Sequence, residues 1–163
     1  MLILRADQAA YMNTGTAQSP TWSRIGDGFT SFPESKNAKE YTRQYIHMKQ
    51  EKTDVVGYAP SIAYSCDVYD DDPCCTKIVT ITDNESVGAD AEVEILIVDL
   101  YKVTGTGAAA TCPARKRTYV VVPDQIAAGV EALVYTGTLK AATENVVGTF
   151  KPSDSTFTAT VAS

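Results

Sequence analysis

The sequence predicts a mainly β fold, an antiparallel β-sandwich or curled sheet flanked by one α-helix at about residues 72–83. Three observations carry that expectation. From Ser61 to Tyr69 the chain alternates, with Ile62, Tyr64, Cys66 and Val68 on one face and Ser61, Ala63, Ser65, Asp67 and Tyr69 on the other. That period of two belongs to a strand with one packed and one wet side. At Asp70-Asp71-Asp72-Pro73 the periodicity switches. Carboxylates stand where a helix start leaves N–H groups unpaired, and Pro73 takes the first helical position, where its missing donor costs nothing. Asp72 and Pro73 are the expected helix cap, and Cys74, Ile78 and Ile81 form one apolar stripe that ends by Asn84 and Gly88. The rest of the chain divides into strand-like runs at turn-separated intervals, giving about seven or eight strands in all.

Taken in order, residues 1–20 contain Asn13, Gly15, Ser19 and Pro20 and little sustained periodicity, so they read as an extended arm with an apolar anchor at Leu2 to Leu4. Gly26-Asp27-Gly28 marks a tight turn or bulge, and Trp22 and Phe29 are expected to seal one end of the core. From Ala38 to Val56 either a helix or a strand fits, because Tyr41, Tyr45 and Met48 also fall at helical spacing. Thr42, Tyr45 and Ile46 favour the strand. Lys49, Gln50, Glu51, Lys52, Thr53 and Asp54 then form the tip of a projecting hairpin, too charged to be buried, that leads into a strand interrupted at Gly57 to Pro60. Ala91 to Val103 is the most hydrophobic run, with Leu96, Val98 and Leu100 on one face and Ile95, Ile97 and Tyr101 on the other, so both faces should be covered at its centre. Gly105 to Ala110 reads as a loop. RTYVVV and EALVYTGTLKA read as two strands joined through Pro123 and Gly129, and VVGTF and STFTATV as two short ones across Pro152 to Asp154.

At 163 residues the chain fits one domain large enough for a continuous core. Its net charge of −6, from 20 acidic and 14 basic side chains, argues against phosphate-backbone binding as the main activity. The opening Met1 to Leu4 is too short for a signal-peptide core or a membrane span, so a soluble protein made in the cytosol is expected. Cys66, Cys74, Cys75 and Cys112 include no Cys-x-x-Cys pair and read as reduced, mostly buried thiols.

Candidate chemistry is weak throughout. His47 has no second histidine or cysteine at ligand spacing. Asp67, Asp70, Asp71 and Asp72 lack the glycine and terminal glutamate of a calcium loop, and helix capping accounts for them. Glu92 and Glu94 share a strand side with Cβ atoms roughly 7 Å apart, a spacing at which two carboxylates can act on a sugar; a solvated or interface-facing strand end is the plainer reading. Gly105-Thr106-Gly107 lacks the third glycine of a phosphate loop. Asn84-Glu85-Ser86 matches a glycosylation sequon only by chance in a cytosolic chain, and Arg115, Lys116 and Arg117 read as a solvated strand end. No catalytic, cofactor-binding or metal-binding residue is nominated, so the expectation is a protein of surfaces and not an enzyme.

The stretch TWSRIGDGFTSFPESKNAKEYTRQYIHMKQEKTDVVGYAPSIAYSCDVYDDDP, the strand AEVEILIVDLYKV, the closing YTGTLKA and the GTFKPSDSTFT ending together resemble the tail tube proteins, or major tail proteins, of tailed bacteriophages. The resemblance runs from Thr21 to Thr158 and rests on strands, glycines and one Pro-capped helix; Cys74-Cys75 departs from it. It implies a single tail-tube domain over residues 1–163 that self-associates in hexameric rings, four strands per subunit joining neighbours into a barrel of about two dozen strands. Stacked rings make a hollow virion tail, assembled in the host cytoplasm, with the tape measure, tail terminator and distal tail proteins as further partners. DNA passes through the lumen without sequence-specific binding, and the chain inserts in no membrane. In that setting the arm and Lys49 to Asp54 supply contacts between subunits and rings. Ser61, Ala63, Ser65 and Asp67 line the lumen, where a repeated carboxylate repels DNA phosphates. The alternatives are a monomeric β-sandwich that binds a ligand or carbohydrate, and the tube of a headless, bacteriocin-like particle.

Overall fold

The computed structural model describes residues 1–128 and 131–160. Strands β1 (Gln8–Asn13), β2 (Trp22–Ile25), β3 (Phe29–Ser31), β4 (Glu34–Ser35), β5 (Ala38–Arg43), β6 (Lys52–Tyr58) and β7 (Ser61–Asp67) precede helix α1 (Pro73–Asp83). After it come β8 (Glu92–Asp99), β9 (Cys112–Ala128), β10 (Leu133–Ala141), β11 (Val146–Lys151) and β12 (Thr156–Ala159). One antiparallel sheet runs in the order β2-β1-β8-β9-β10-β7-β3, with β4 beside β7, β11 beside β9 and β12 beside β11. β5 and β6 pair only with each other.

The two ends of that order, β2 and β3, are joined by Gly26, Asp27 and Gly28 alone. An extended chain of that length reaches roughly 14 Å. The sheet must therefore curl until its outer strands approach, which gives an antiparallel half-barrel. Gly28 carries a positive φ of 82°, and a Cβ there would meet the Asp67 carbonyl at 2.6 Å, so only glycine permits this closure.

Helix α1 fills the hollow. Cys74, Ile78 and Ile81 pack with Met12 of β1, Ile25 of β2, Ile62 and Tyr64 of β7, Val93 and Ile95 of β8, Tyr119 and Val121 of β9, and Leu139 of β10. Asp72 Oδ1 accepts from the Cys74 N–H at 3.0 Å, and Pro73 occupies the first helical position. At the other end the Tyr135 hydroxyl donates to Asp83 Oδ1 at 2.7 Å, tying the helix to β10. The outer face of β1, β8 and β9 is covered by Phe150 of β11 and Phe157 of β12. Thus β8 is packed on both sides, Val93 and Ile95 inward, Leu96 and Val98 outward.

Four expectations are corrected. Residues 1–20 are not an arm throughout: β1 is an interior strand held by β2 and β8, with Ala9, Ala10, Met12 and Asn13 buried, while Met1 to Ala6 and the loop from Thr16 to Pro20 stand exposed. β9 runs straight through Pro123. That proline faces β10 at Gly137, while on its other side β8 has already ended at the Glu92 to Val120 pairing, so no ladder needs its N–H. Gly129 lies outside the described residues. Arg115, Lys116 and Arg117 are mid-sheet, between β8 and β11, and not at a strand end. Trp22 and Phe29 seal different places: Trp22 packs on the outer cluster with Phe157, Phe29 on the inner side.

Candidate assembly surfaces

The β5–β6 hairpin is the part of the chain with least cover. Its tip spans residues 44–51, so Lys49, Gln50 and Glu51 belong to the tip, whereas Lys52, Thr53 and Asp54 are strand residues paired with Arg43, Thr42 and Tyr41. Direct pairing puts Tyr41, Arg43, Lys52 and Asp54 on one face and Glu40, Thr42, Thr53 and Val55 on the other. Neither face packs on the body, and Tyr41, Val55, Val56 and Tyr58 are each more than half exposed. What holds the hairpin is polar: the Arg43–Asp54 ion pair, a Thr42 to Thr53 hydroxyl contact of 3.0 Å, and the Arg43 guanidinium 4.9 Å over the Tyr41 ring. Arg43 Nε also donates to the Tyr45 hydroxyl at 2.7 Å, and His47 stacks on the Tyr45 ring. Beside that guanidinium the Asp54 carboxyl is held below its ordinary range.

A second surface is the outward side of β7. Ile62, Tyr64 and Cys66 are buried, while Ser61, Ala63, Ser65 and Asp67 take no part in a core cluster. On β10 their direct partners are Lys140, Thr138, Thr136 and Val134. The strip is therefore short-chained and polar, and its single carboxylate shares the face with one lysine. Sequence reading missed Lys140, because it considered one strand at a time.

The remaining candidates are accounted for by packing. Asp72 caps α1, Asp70 and Asp71 are exposed, and among the described residues no three His, Cys, Asp or Glu side chains gather to hold a metal. Arg115 lies 3.6 Å from Asp99, which also accepts from Gln8 Nε2 at 2.8 Å, and Lys116 stands 5.6 Å over the Phe157 ring. Glu94 accepts from Asn13 Nδ2 at 2.9 Å. The four cysteines are free and buried. Burial pushes the Cys74 thiol up to about 12 and raises Cys66, whose Sγ lies 3.5 Å from that of Cys75. Among the described residues no helix is long and apolar enough to cross a membrane.

No protein-family model and no curated protein matches the sequence. Among solved structures, the chain is similar to one from the tail of an empty gene transfer agent particle, refined with C6 symmetry. The identity is 12%, over 88% of this chain and 97% of that one, with a TM-score of 0.58. A chain of the anti-feeding prophage baseplate, six-fold symmetrised, matches at 10% identity over 86% and 91% of the two chains with a TM-score of 0.47. A curled antiparallel sheet plugged by one helix, with a bare hairpin beside it and near-complete overlap with a particle-tail subunit, gives this chain the fold of a phage-like tail-tube protein.

Proposed function

We propose that the protein is a structural subunit of a particle tail, polymerising as stacked hexameric rings into a hollow tube through which DNA passes during ejection. The observation that carries this reading is the β5–β6 hairpin, a two-sided ribbon whose Tyr41, Val55, Val56 and Tyr58 have no cover within the subunit. An isolated two-stranded ribbon is marginal in water, so one that exposes apolar side chains on both faces calls for a partner. The six-fold symmetry of the gene transfer agent tail supports six copies per ring. In this reading the hairpin, with Lys49 to Asp54, reaches the neighbouring subunit or ring. The exposed Met1 to Leu4 segment makes a second contact, and free sheet edges join between copies and so escape unregulated pairing. The polar strip of Ser61, Ala63, Ser65 and Asp67 faces the lumen, with no sequence-specific hold on DNA. Tape measure, terminator and distal tail proteins meet the tube within the virion.

The test is negative-stain microscopy and light scattering of concentrated protein. Rings or tubes are the expected product, and they are expected to be lost in Val56→Lys while the circular dichroism stays native. A wild-type chain that remains monomeric at every concentration, alone and with tail initiator proteins, refutes the tube and leaves a monomeric binding module.

A further inference from the structure

Asn13 closes β1 with a side chain in which both polar atoms are engaged. It is 3% exposed. Its Oδ1 accepts from the backbone N–H groups of Gly15 at 2.9 Å and Thr21 at 3.0 Å. Its Nδ2 donates to Glu94 Oε2 at 2.9 Å and to the Thr16 carbonyl at 3.2 Å. Lys77, reaching over from α1, donates from Nζ to the backbone carbonyl of the same Asn13 at 2.5 Å. Asn13, Lys77 and Glu94 line one pocket of about 260 Å³. Among the described residues no carboxylate lies within 4.0 Å of Lys77 Nζ.

Pinning the loop between β1 and β2 needs only the two contacts to Oδ1. The rest of the arrangement supplies the groups that amide transfer uses, with Nζ held against the same residue through its backbone carbonyl. Two N–H donors on a carboxamide oxygen are placed to stabilise an oxyanion. A carboxylate on the amide nitrogen can deliver a proton to a departing ammonia. The amine itself is half-buried without an ionic partner, and burial holds its pKa below the ordinary lysine range, which favours the nucleophilic free base.

We propose that Lys77 and Asn13 join in an intramolecular isopeptide bond, with Glu94 carrying the proton, so that α1 becomes covalently tied to β1. Nζ, as the free amine, adds to Cγ of Asn13, and the negative charge collects on Oδ1 beneath the Gly15 and Thr21 N–H groups. Glu94 takes the proton that Nζ sheds and gives it to Nδ2. The Cγ–Nδ2 bond breaks, and ammonia leaves, carrying away as ammonium the proton with which the lysine began. One primary amide and one amine become one secondary amide and one ammonia. Nothing is oxidised or reduced, and no co-reactant is needed.

Intact-mass spectrometry of the purified full-length chain, denatured after prolonged incubation at neutral pH, tests this directly. The expected mass is below the sequence mass by one ammonia, about 17 Da, with a branched tryptic peptide joining the segment of Asn13 to that of Lys77. Lys77→Arg keeps a donor to the Asn13 carbonyl and Glu94→Gln keeps an acceptor for Nδ2, so both should fold, and both should appear at their full sequence masses. A cyclic imide at Asn13 also loses ammonia; that loss persisting in Lys77→Arg, without a branched peptide, overturns the proposal. Wild-type protein at its full sequence mass overturns it as well.

Discussion

The helix-plugged sheet and the β5–β6 hairpin are made of similar material arranged to opposite ends. In β7 the apolar residues alternate, and Ile62 and Cys66 reach zero exposure beneath α1. In the hairpin, Tyr41 and Val55 belong to neighbouring cross-strand pairs, so one falls on each side of the ribbon and no single partner layer could hide both. The first region is finished within the subunit. The second is left open, stabilised on its own by charges and hydroxyls. The difference separates residues that decide whether the chain folds from residues that decide what the folded chain touches.

Truncating the finished region should do the most damage. Phe150→Ala removes a fully buried ring from the outer cluster, where its centroid lies 4.7 Å from that of Tyr11 with the rings tilted by 40°. A loss of about 3–5 kcal/mol is expected, and with it a fall in melting temperature on the order of 10 °C. Asp72→Ala should cost about 1 kcal/mol, because the Cys74 N–H would lose its acceptor at the helix start; urea unfolding is sensitive enough to read it. Val56→Lys should stay within about 0.5 kcal/mol of wild type, since nothing in the subunit covers Val56. If that variant proves as damaging as Phe150→Ala, the hairpin is not independent of the core and the contrast collapses.

The smallest effect sharpens the contrast by pH. Asp54 has a folded pKa depressed below its usual 3.8 by Arg43. Its contribution is therefore fully present above that value and lost as pH falls through the depressed one. Acid should loosen the hairpin first, seen as faster amide exchange in β5 and β6 while the β8 and β9 amides remain protected.

The sequence made some of this legible for reasons that the contrast explains. β7 and α1 carry strong local signals, an alternation and an Asp-Pro cap, because each has one buried side and a defined start. β1 carries none. QAAYMN buries two alanines, one methionine and an asparagine, and a single large apolar side chain makes no alternation, so what makes it a strand is β8, more than eighty residues away. Pro123 reads as a break because the rule assumes a partner on both sides, and here β8 has run out. The hairpin tip was displaced by a few residues, since Lys52 to Asp54 are charged enough to resemble a turn yet pair across the ribbon with Arg43 to Tyr41. Lys140 on the β7 strip and the Asn13, Lys77 and Glu94 set became visible only once three distant segments were brought together.

The strand order also sets a schedule. β8, β9 and β10 are consecutive in the chain and adjacent in the sheet, as are β11 and β12, so these pairings close short loops and can form quickly. β1 and β2 leave the ribosome before the rest of this sheet, yet β1 needs β8 on its other side, and β7 needs β10. The N-terminal half can form its own β1–β2, β5–β6, β3–β7 and β4–β7 pairings, but β1 and β7 must wait, each with one edge unpaired, for the sheet they will complete. During that wait Val55, Val56 and Tyr58 are as exposed as they will be in the folded subunit, and every copy emerging nearby presents the same ribbon. Loop closure across more than seventy residues thus becomes the slow step, and the local concentration of nascent chains governs whether subunits finish folding before they meet.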